Sequence, residues 1–144
     1  MKQGAASSYE WPMTSLGKTE ILVVDDDPDS LEFLEYLISK EGAVVTKAKN
    51  AREALELLLT WTPDVLLLDL AMPEVDGYEL LTTIRGIEHL REVPAVAVTA
   101  LAFERDKERS ANAGFAAHVS KPYEIEALID LIRGLVANKP GNAV

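Results

Sequence analysis

The stretch Val65-Leu66-Leu67-Leu68-Asp69 is a short apolar run that ends at an aspartate. Three other runs also end at a polar residue: 21–24 before Asp25-Asp26-Asp27, 95–98 before Thr99, and 115–120 before Lys121-Pro122. Short apolar runs of this kind are typical of strands buried in a parallel sheet. We therefore predict an α/β fold in which several strands end at reactive or acidic side chains.

Helical patterns alternate with these runs from residue 20 onward. Asp27-Pro28 and Asn50 are typical helix starts, because Asp and Asn side chains accept hydrogen bonds from the first turn and proline suits that turn. The predicted strands are 20–24, 43–48, 64–69, 95–99 and 115–120, and the predicted helices begin near residues 28, 50, 78, 103 and 124. Asp76-Gly77 is interpreted as a turn before the third helix. The pattern predicts a doubly wound five-stranded parallel sheet with five helices.

Composition divides the chain into one domain and two short tails. We expect residues 1–18 to be a flexible tail or linker, 19–138 to form the domain, and 139–144 to be a C-terminal tail. The formal net charge of −10 argues against direct binding to nucleic acid or to an anionic membrane. The chain has no cysteine and no apolar stretch of membrane-spanning length, which is compatible with the cytoplasmic location that we expect.

The polar residues at the strand ends suggest a specific chemistry. In an open α/β sheet, the carboxyl ends of the strands line one crevice. Asp25, Asp26 and Asp69 would offer only hard oxygen ligands there, which is the preference of Mg²⁺. Asp69 could act as a nucleophile that forms an acyl phosphate, while Thr99 and Lys121 could bind phosphoryl oxygens.

Four motifs in this order resemble the receiver domain of two-component response regulators. They are Val23-Val24-Asp25-Asp26, Leu68-Asp69 with Met72-Pro73 and Asp76-Gly77, Thr99-Ala100, and Lys121-Pro122, within residues 20–137. The resemblance implies a flavodoxin-like sheet with strand order 2-1-3-4-5. It also implies that Asp69 accepts a phosphoryl group from a phosphohistidine on a sensor histidine kinase or a histidine phosphotransfer protein. A downstream protein target would then recognise the altered surface, and no catalytic turnover of an external substrate is expected.

The resemblance also implies a role for each residue of the site. Asp26, Asp69 and the backbone carbonyl of Ala71 would ligate Mg²⁺, and Asp25 would act mainly through a metal-bound water. Thr99 and Lys121 would bind phosphoryl oxygens, and Lys121-Pro122 would be a cis peptide.

Two positions depart from the family pattern. The second switch residue besides Thr99 would be His118, where the family has Tyr or Phe. Ala71 and Leu101 occupy positions that tune autodephosphorylation in the family, and neither side chain can orient a water. The lifetime of the phosphorylated form is therefore open.

Two other function classes fit the sequence less well. A phosphatase of the haloacid-dehalogenase type normally has a general acid two residues after its nucleophile, but Ala71 stands there. A degenerate receiver that binds partners without phosphorylation is disfavoured, because every phosphorylation residue is present. We expect no output domain after the last helix. A free-standing regulator, a phosphate shuttle and the receiver of a hybrid kinase therefore all remain possible, and His118-Val119-Ser120-Lys121-Pro122 weakly favours the last.

Overall fold

The computed structural model describes residues 16–137. Its strands are β1 (Glu20–Val24), β2 (Val44–Ala48), β3 (Val65–Leu68), β4 (Ala95–Thr99) and β5 (Ala117–Ser120). Its helices are α1 (Pro28–Ser39), α2 (Ala51–Leu58), α3 (Gly77–Arg85), α4 (Glu104–Asn112) and α5 (Ile125–Ala137), with a short 3₁₀ turn at Glu88–Leu90. Residues 1–15 and 138–144, which include most of both expected tails, lie outside the described part of the chain.

The five strands form one parallel sheet in the order β2-β1-β3-β4-β5, which confirms the predicted fold class. The register places Val24, the last residue of β1, beside Leu68, the last residue of β3. The chain therefore continues from both strands at the same edge of the sheet. This register is what brings Asp25 and Asp69 together.

Each face of the sheet has its own apolar core. Side chains alternate between the faces along each strand, so that Leu66 and Leu68 face one core while Val65 and Leu67 face the other. The first core contains side chains of α2 and α3, and the second contains side chains of α1 and α5. Because both faces are covered, the strands read as continuous apolar runs rather than as alternating ones.

Side-chain caps set three of the helix starts. Asp27 accepts a hydrogen bond from the backbone N–H of Asp29, and Asn50 accepts one from Glu53, as predicted. Asp76 was interpreted as part of a turn, but its side chain also caps α3. It accepts from Glu79 N–H while the Glu79 carboxylate accepts from Asp76 N–H.

Several boundaries differ from the sequence prediction. Strand β5 begins at Ala117 rather than Phe115, because the N–H of Phe115 donates to the carbonyl of Ser110 and its ring is buried in the first core. Leu16 was placed in the N-terminal tail, but its side chain is buried and its N–H donates to the carbonyl of Glu41. Packing against the domain therefore extends at least to Leu16.

No helix between residues 16 and 137 combines the length and apolar character that crossing a bilayer requires.

Gly77, the first residue of α3, packs directly on the backbone that follows β3. Its N–H donates to the carbonyl of Leu70 at 3.2 Å. A methyl group at this position would overlap the carbonyl oxygen of Asp69 and lie 2.9 Å from Cα of Leu70. Glycine is thus required here by close approach of two backbone segments.

We expect Gly77→Ala to lower the free energy of unfolding by about 1–3 kcal/mol, because the helix or the Asp69 backbone must shift. The matched control is Gly134→Ala in α5, where the added methyl group meets open space. That variant should gain about 0.5–1 kcal/mol from helix propensity. Urea unfolding followed by circular dichroism measures both values, and equal effects of the two substitutions would contradict the packing account.

Candidate functional site

Three carboxylates lie together at the carboxyl edge of the sheet. Asp25 and Asp26 directly follow β1, and Asp69 directly follows β3. One oxygen from each of these residues lies within 4.8 Å of the other two. Asp25 and Asp69 are buried and Asp26 is exposed, so the cluster opens to solvent on one side. Three hard oxygen donors at this spacing fit a Mg²⁺ ion that keeps several waters.

Asp25 is held in place through both of its carboxylate oxygens. Its Oδ1 accepts from the backbone N–H of Asp27 at 3.0 Å, and its Oδ2 accepts from Nζ of Lys121 at 2.6 Å. Only 2% of the residue is exposed. Because both oxygens are engaged, Asp25 is a poor candidate for a nucleophile.

Lys121 reaches the cluster from the loop after β5, where the Lys121-Pro122 peptide is cis. Its Nζ lies 3.8 Å from Oδ2 of Asp69 and 3.4 Å from the hydroxyl of Ser30. Burial lowers the pKa of Lys121, but the hydrogen bond and charge of Asp25, with the charge of Asp69, outweigh that effect and raise the pKa overall. The ammonium group is therefore held in its charged form beside the carboxylates.

Asp69 has one oxygen held and one that is less constrained. Its Oδ1 accepts from the backbone N–H of Ala71 at 3.1 Å, whereas the ion pair of Oδ2 with Lys121 is loose. Burial raises the pKa of Asp69, the charge of Asp25 raises it further, and the hydrogen bonds from Ala71 and Thr99 only partly oppose this. A more basic carboxylate with an available oxygen is suited to nucleophilic attack.

Thr99 is the last residue of β4 and is fully buried. Its hydroxyl oxygen accepts from the backbone N–H of Leu101 at 3.3 Å, and its hydroxyl lowers the pKa of Asp69. Thr99 therefore lies at the same edge as Asp69 and Lys121. The structure therefore places at one edge of the sheet the three residues that the sequence singled out for phosphoryl chemistry.

His118 lies away from the carboxylates, on β5. Its Nε2 is 2.6 Å from the carbonyl oxygen of Leu101, and its Nδ1 is 2.9 Å from the hydroxyl of Ser110 in α4. The expected switch residue thus contacts the site indirectly, through the loop that joins β4 to α4.

Sequence reasoning missed three residues in or near the site: Ser30, Ser110 and Tyr123. It named Gly77 only as part of a turn, and Ser110 carried no motif that could have marked it. Tyr123 follows the cis proline and is half-buried. Burial and the nearby Asp25 charge raise its pKa to about 12. Its phenol therefore stays neutral and contributes no further negative charge to the cluster.

Comparison with known protein families gives the family that the sequence motifs resemble. Residues 21–133 match the response regulator receiver domain model. An uncharacterised 14.6 kDa protein of Leptolyngbya boryana is 43% identical over 121 residues, which cover 84% of this chain and 92% of that protein. The polar-differentiation response regulator DivK of Brucella anthropi is 31% identical over 118 residues, which cover 82% and 96% of the two chains.

Solved structures show the same architecture. The crystal structure of the receiver domain of a sensor histidine kinase from Pseudomonas aeruginosa PAO1 superposes with a TM-score of 0.78 at 29% identity. The match covers 85% of this chain and 100% of that domain, which has a magnesium ion coordinated in its active-site cleft.

The raised pKa of Asp69 predicts a stability change in Asp69→Asn. An acid whose pKa is raised by folding costs stability once the pH exceeds its unfolded-state pKa. In a chelating buffer at about pH 8, the variant should therefore unfold at a higher temperature than the wild type. The gain should shrink as the pH falls through the raised pKa of Asp69, because the wild-type carboxyl then becomes protonated.

The matched control for this measurement is Asp130→Asn, which alters an exposed carboxylate paired with Arg133 in α5. Its effect should be small at both pH values. An Asp69→Asn variant that is less stable than the wild type at about pH 8 would contradict the electrostatic account of the cluster.

Proposed function

The chain belongs to the family of response regulator receiver domains, and from this premise we propose that Asp69 accepts a phosphoryl group from a phosphohistidine. A carboxylate oxygen of Asp69 forms the new P–O bond as the P–N bond to the donor imidazole breaks. The observation that carries the proposal is the difference between the partners of the two buried carboxylates. Asp25 has both oxygens engaged by short hydrogen bonds, whereas Oδ2 of Asp69 lies 3.8 Å from Nζ of Lys121.

Lys121 and Thr99 are suited to bind the transferred group. The ammonium group of Lys121 is 3.8 Å from Oδ2 of Asp69, so a phosphoryl group formed on that oxygen would gain a nearby positive charge. The hydroxyl of Thr99 has its oxygen held by Leu101 N–H and can donate its proton to a phosphoryl oxygen. Preorganised charges and donors of this kind are the main protein contribution to phosphoryl transfer.

The acidic cluster fits a Mg²⁺ requirement. Asp26 and Asp69 would hold the ion, and Asp25 would act mainly through a metal-bound water. The backbone carbonyl of Ala71 is the further ligand that the family resemblance implies. When bound, Mg²⁺ neutralises negative charge that would otherwise repel an incoming phosphoryl group. The magnesium in the cleft of the Pseudomonas receiver domain supports this assignment.

We propose a signalling role rather than the turnover of an external substrate. The donor would be a sensor histidine kinase or a histidine phosphotransfer protein in the cytoplasm, and a downstream protein target would recognise the phosphorylated form. The formal charge of −10 disfavours nucleic acid as the direct target. Thr99 and His118 would carry the change of surface, because both contact Leu101 in the loop before α4.

The proposal predicts phosphoryl uptake from a small donor such as phosphoramidate or acetyl phosphate. The wild-type protein should take up the phosphoryl group when Mg²⁺ is present and not when a chelator removes it, since the unshielded carboxylates repel the donor. The label should be stable to acid and labile to base, as an acyl phosphate is. Intact-mass spectrometry measures the uptake, and peptide mapping assigns it to a residue.

Asp69→Asn should abolish this uptake, because its amide is not a nucleophile, whereas the remote Asp130→Asn should leave it unchanged. A wild-type protein that binds Mg²⁺, keeps its fold and takes up no phosphoryl group would overturn the proposal. That result would favour a receiver that binds its partners without phosphorylation.

A further inference from the structure

Ser110 is the buried residue of α4. The helix has nine residues and is mostly charged, and only Ser110 among them is buried, with 1% of its surface exposed. A buried hydroxyl group has to find a hydrogen-bond partner inside the protein. The oxygen of Ser110 lies 2.9 Å from Nδ1 of His118 and 3.0 Å from the carbonyl oxygen of Lys107.

The protons available to these groups determine which of them donates. The carbonyl oxygen of Leu101 can only accept, so Nε2 of His118 must carry a proton to make its 2.6 Å contact. In the neutral imidazole, Nδ1 is then an acceptor and requires a donor. The hydroxyl of Ser110 has a single proton, which in this state goes to Nδ1 rather than to Lys107.

Further hydrogen bonds connect His118 to Thr99, at the edge of the sheet where the carboxylates lie. Leu101 accepts from His118 through its carbonyl and donates through its N–H to the hydroxyl oxygen of Thr99 at 3.3 Å. Ser110, His118, Leu101 and Thr99 therefore form a continuous hydrogen-bonded chain from the interior of α4 to the edge of the sheet.

We propose that Ser110 is a positioning residue that fixes the tautomer and ring orientation of His118 and so couples α4 to Thr99. The proposal rests on the proposed function for the role of Thr99, but the contact between Ser110 and His118 can be tested without phosphorylation. Without the Ser110 hydroxyl, Nδ1 loses its donor, and only the contact with the Leu101 carbonyl still holds the orientation and the tautomer of the imidazole. The Leu101 carbonyl then loses a fixed partner, and α4 loses its link to the loop.

The first test is nuclear magnetic resonance of the two histidines with ¹⁵N-labelled imidazole rings. The neutral wild-type His118 should carry its proton on Nε2. In Ser110→Ala the tautomer ratio should shift by about five-fold, the size that one neutral hydrogen bond supports. His89 is an internal control, because its Nε2 contacts the carbonyl of Leu58 at 2.8 Å and should not change.

Two further variants separate positioning from packing. Ser110→Thr keeps a hydroxyl group and should restore much of the wild-type tautomer ratio. Arg109→Gln removes a guanidinium group that lies 3.8 Å from the ring of Tyr78, which weakens another attachment of α4 without touching His118. It should leave the His118 ring signals unchanged. A wild-type His118 that carries its neutral-state proton on Nδ1, or identical ring signals in wild type and Ser110→Ala, would overturn the proposal.

The second test measures coupling. Amide hydrogen exchange across α4 should change on phosphorylation of the wild type, and this change should fall by at least about half in Ser110→Ala while uptake on Asp69 persists. An α4 response equal to that of the wild type would overturn the coupling role. Absence of uptake in the wild type would instead overturn the proposed function, and the ring-nitrogen signals would still decide the contact between Ser110 and His118.

Discussion

The ion pair between Lys121 and the buried carboxylates is the interaction on which the site depends. The register of β1 and β3 forces Asp25 and Asp69 to the same edge, where the charge of Asp25 raises the pKa of Asp69. Lys121 offsets this repulsion through a 2.6 Å contact with Asp25. One ammonium group cannot neutralise three carboxylates, so the cluster keeps a negative charge. A divalent cation would offset this negative charge, and a phosphoryl group would then meet less repulsion at the same site.

Most of the fold and the centre of the site could be predicted from the sequence. The strands are covered on both faces, so they appear as apolar runs, and each run ends at a polar residue that marks the edge of the sheet. That pattern alone suggested a common location for Asp69, Thr99 and Lys121. The strand order came from the family resemblance, because periodicity does not specify which strands are neighbours.

Other features depend on contacts between segments that are distant in the sequence. Gly77 must be glycine because α3 starts against the backbone of Asp69, and a local turn preference gave no sign of that contact. Leu16 is buried because its backbone pairs with Glu41 beyond α1. Ser110 lies within a charged helix, so its burial against β5 could not be read from local hydropathy. In each case the cause is a contact in the folded structure that the local sequence does not indicate.

The most direct test of this account is the thermal unfolding of the wild type at constant ionic strength, with MgCl₂ or with a chelator. A cation that binds only the folded state raises the unfolding temperature. We predict a rise of several degrees at saturating Mg²⁺, and a much smaller rise in Asp26→Asn, which removes the exposed carboxylate of the cluster. An unfolding temperature that does not respond to Mg²⁺ would contradict the central claim that these three carboxylates form a cation-binding site.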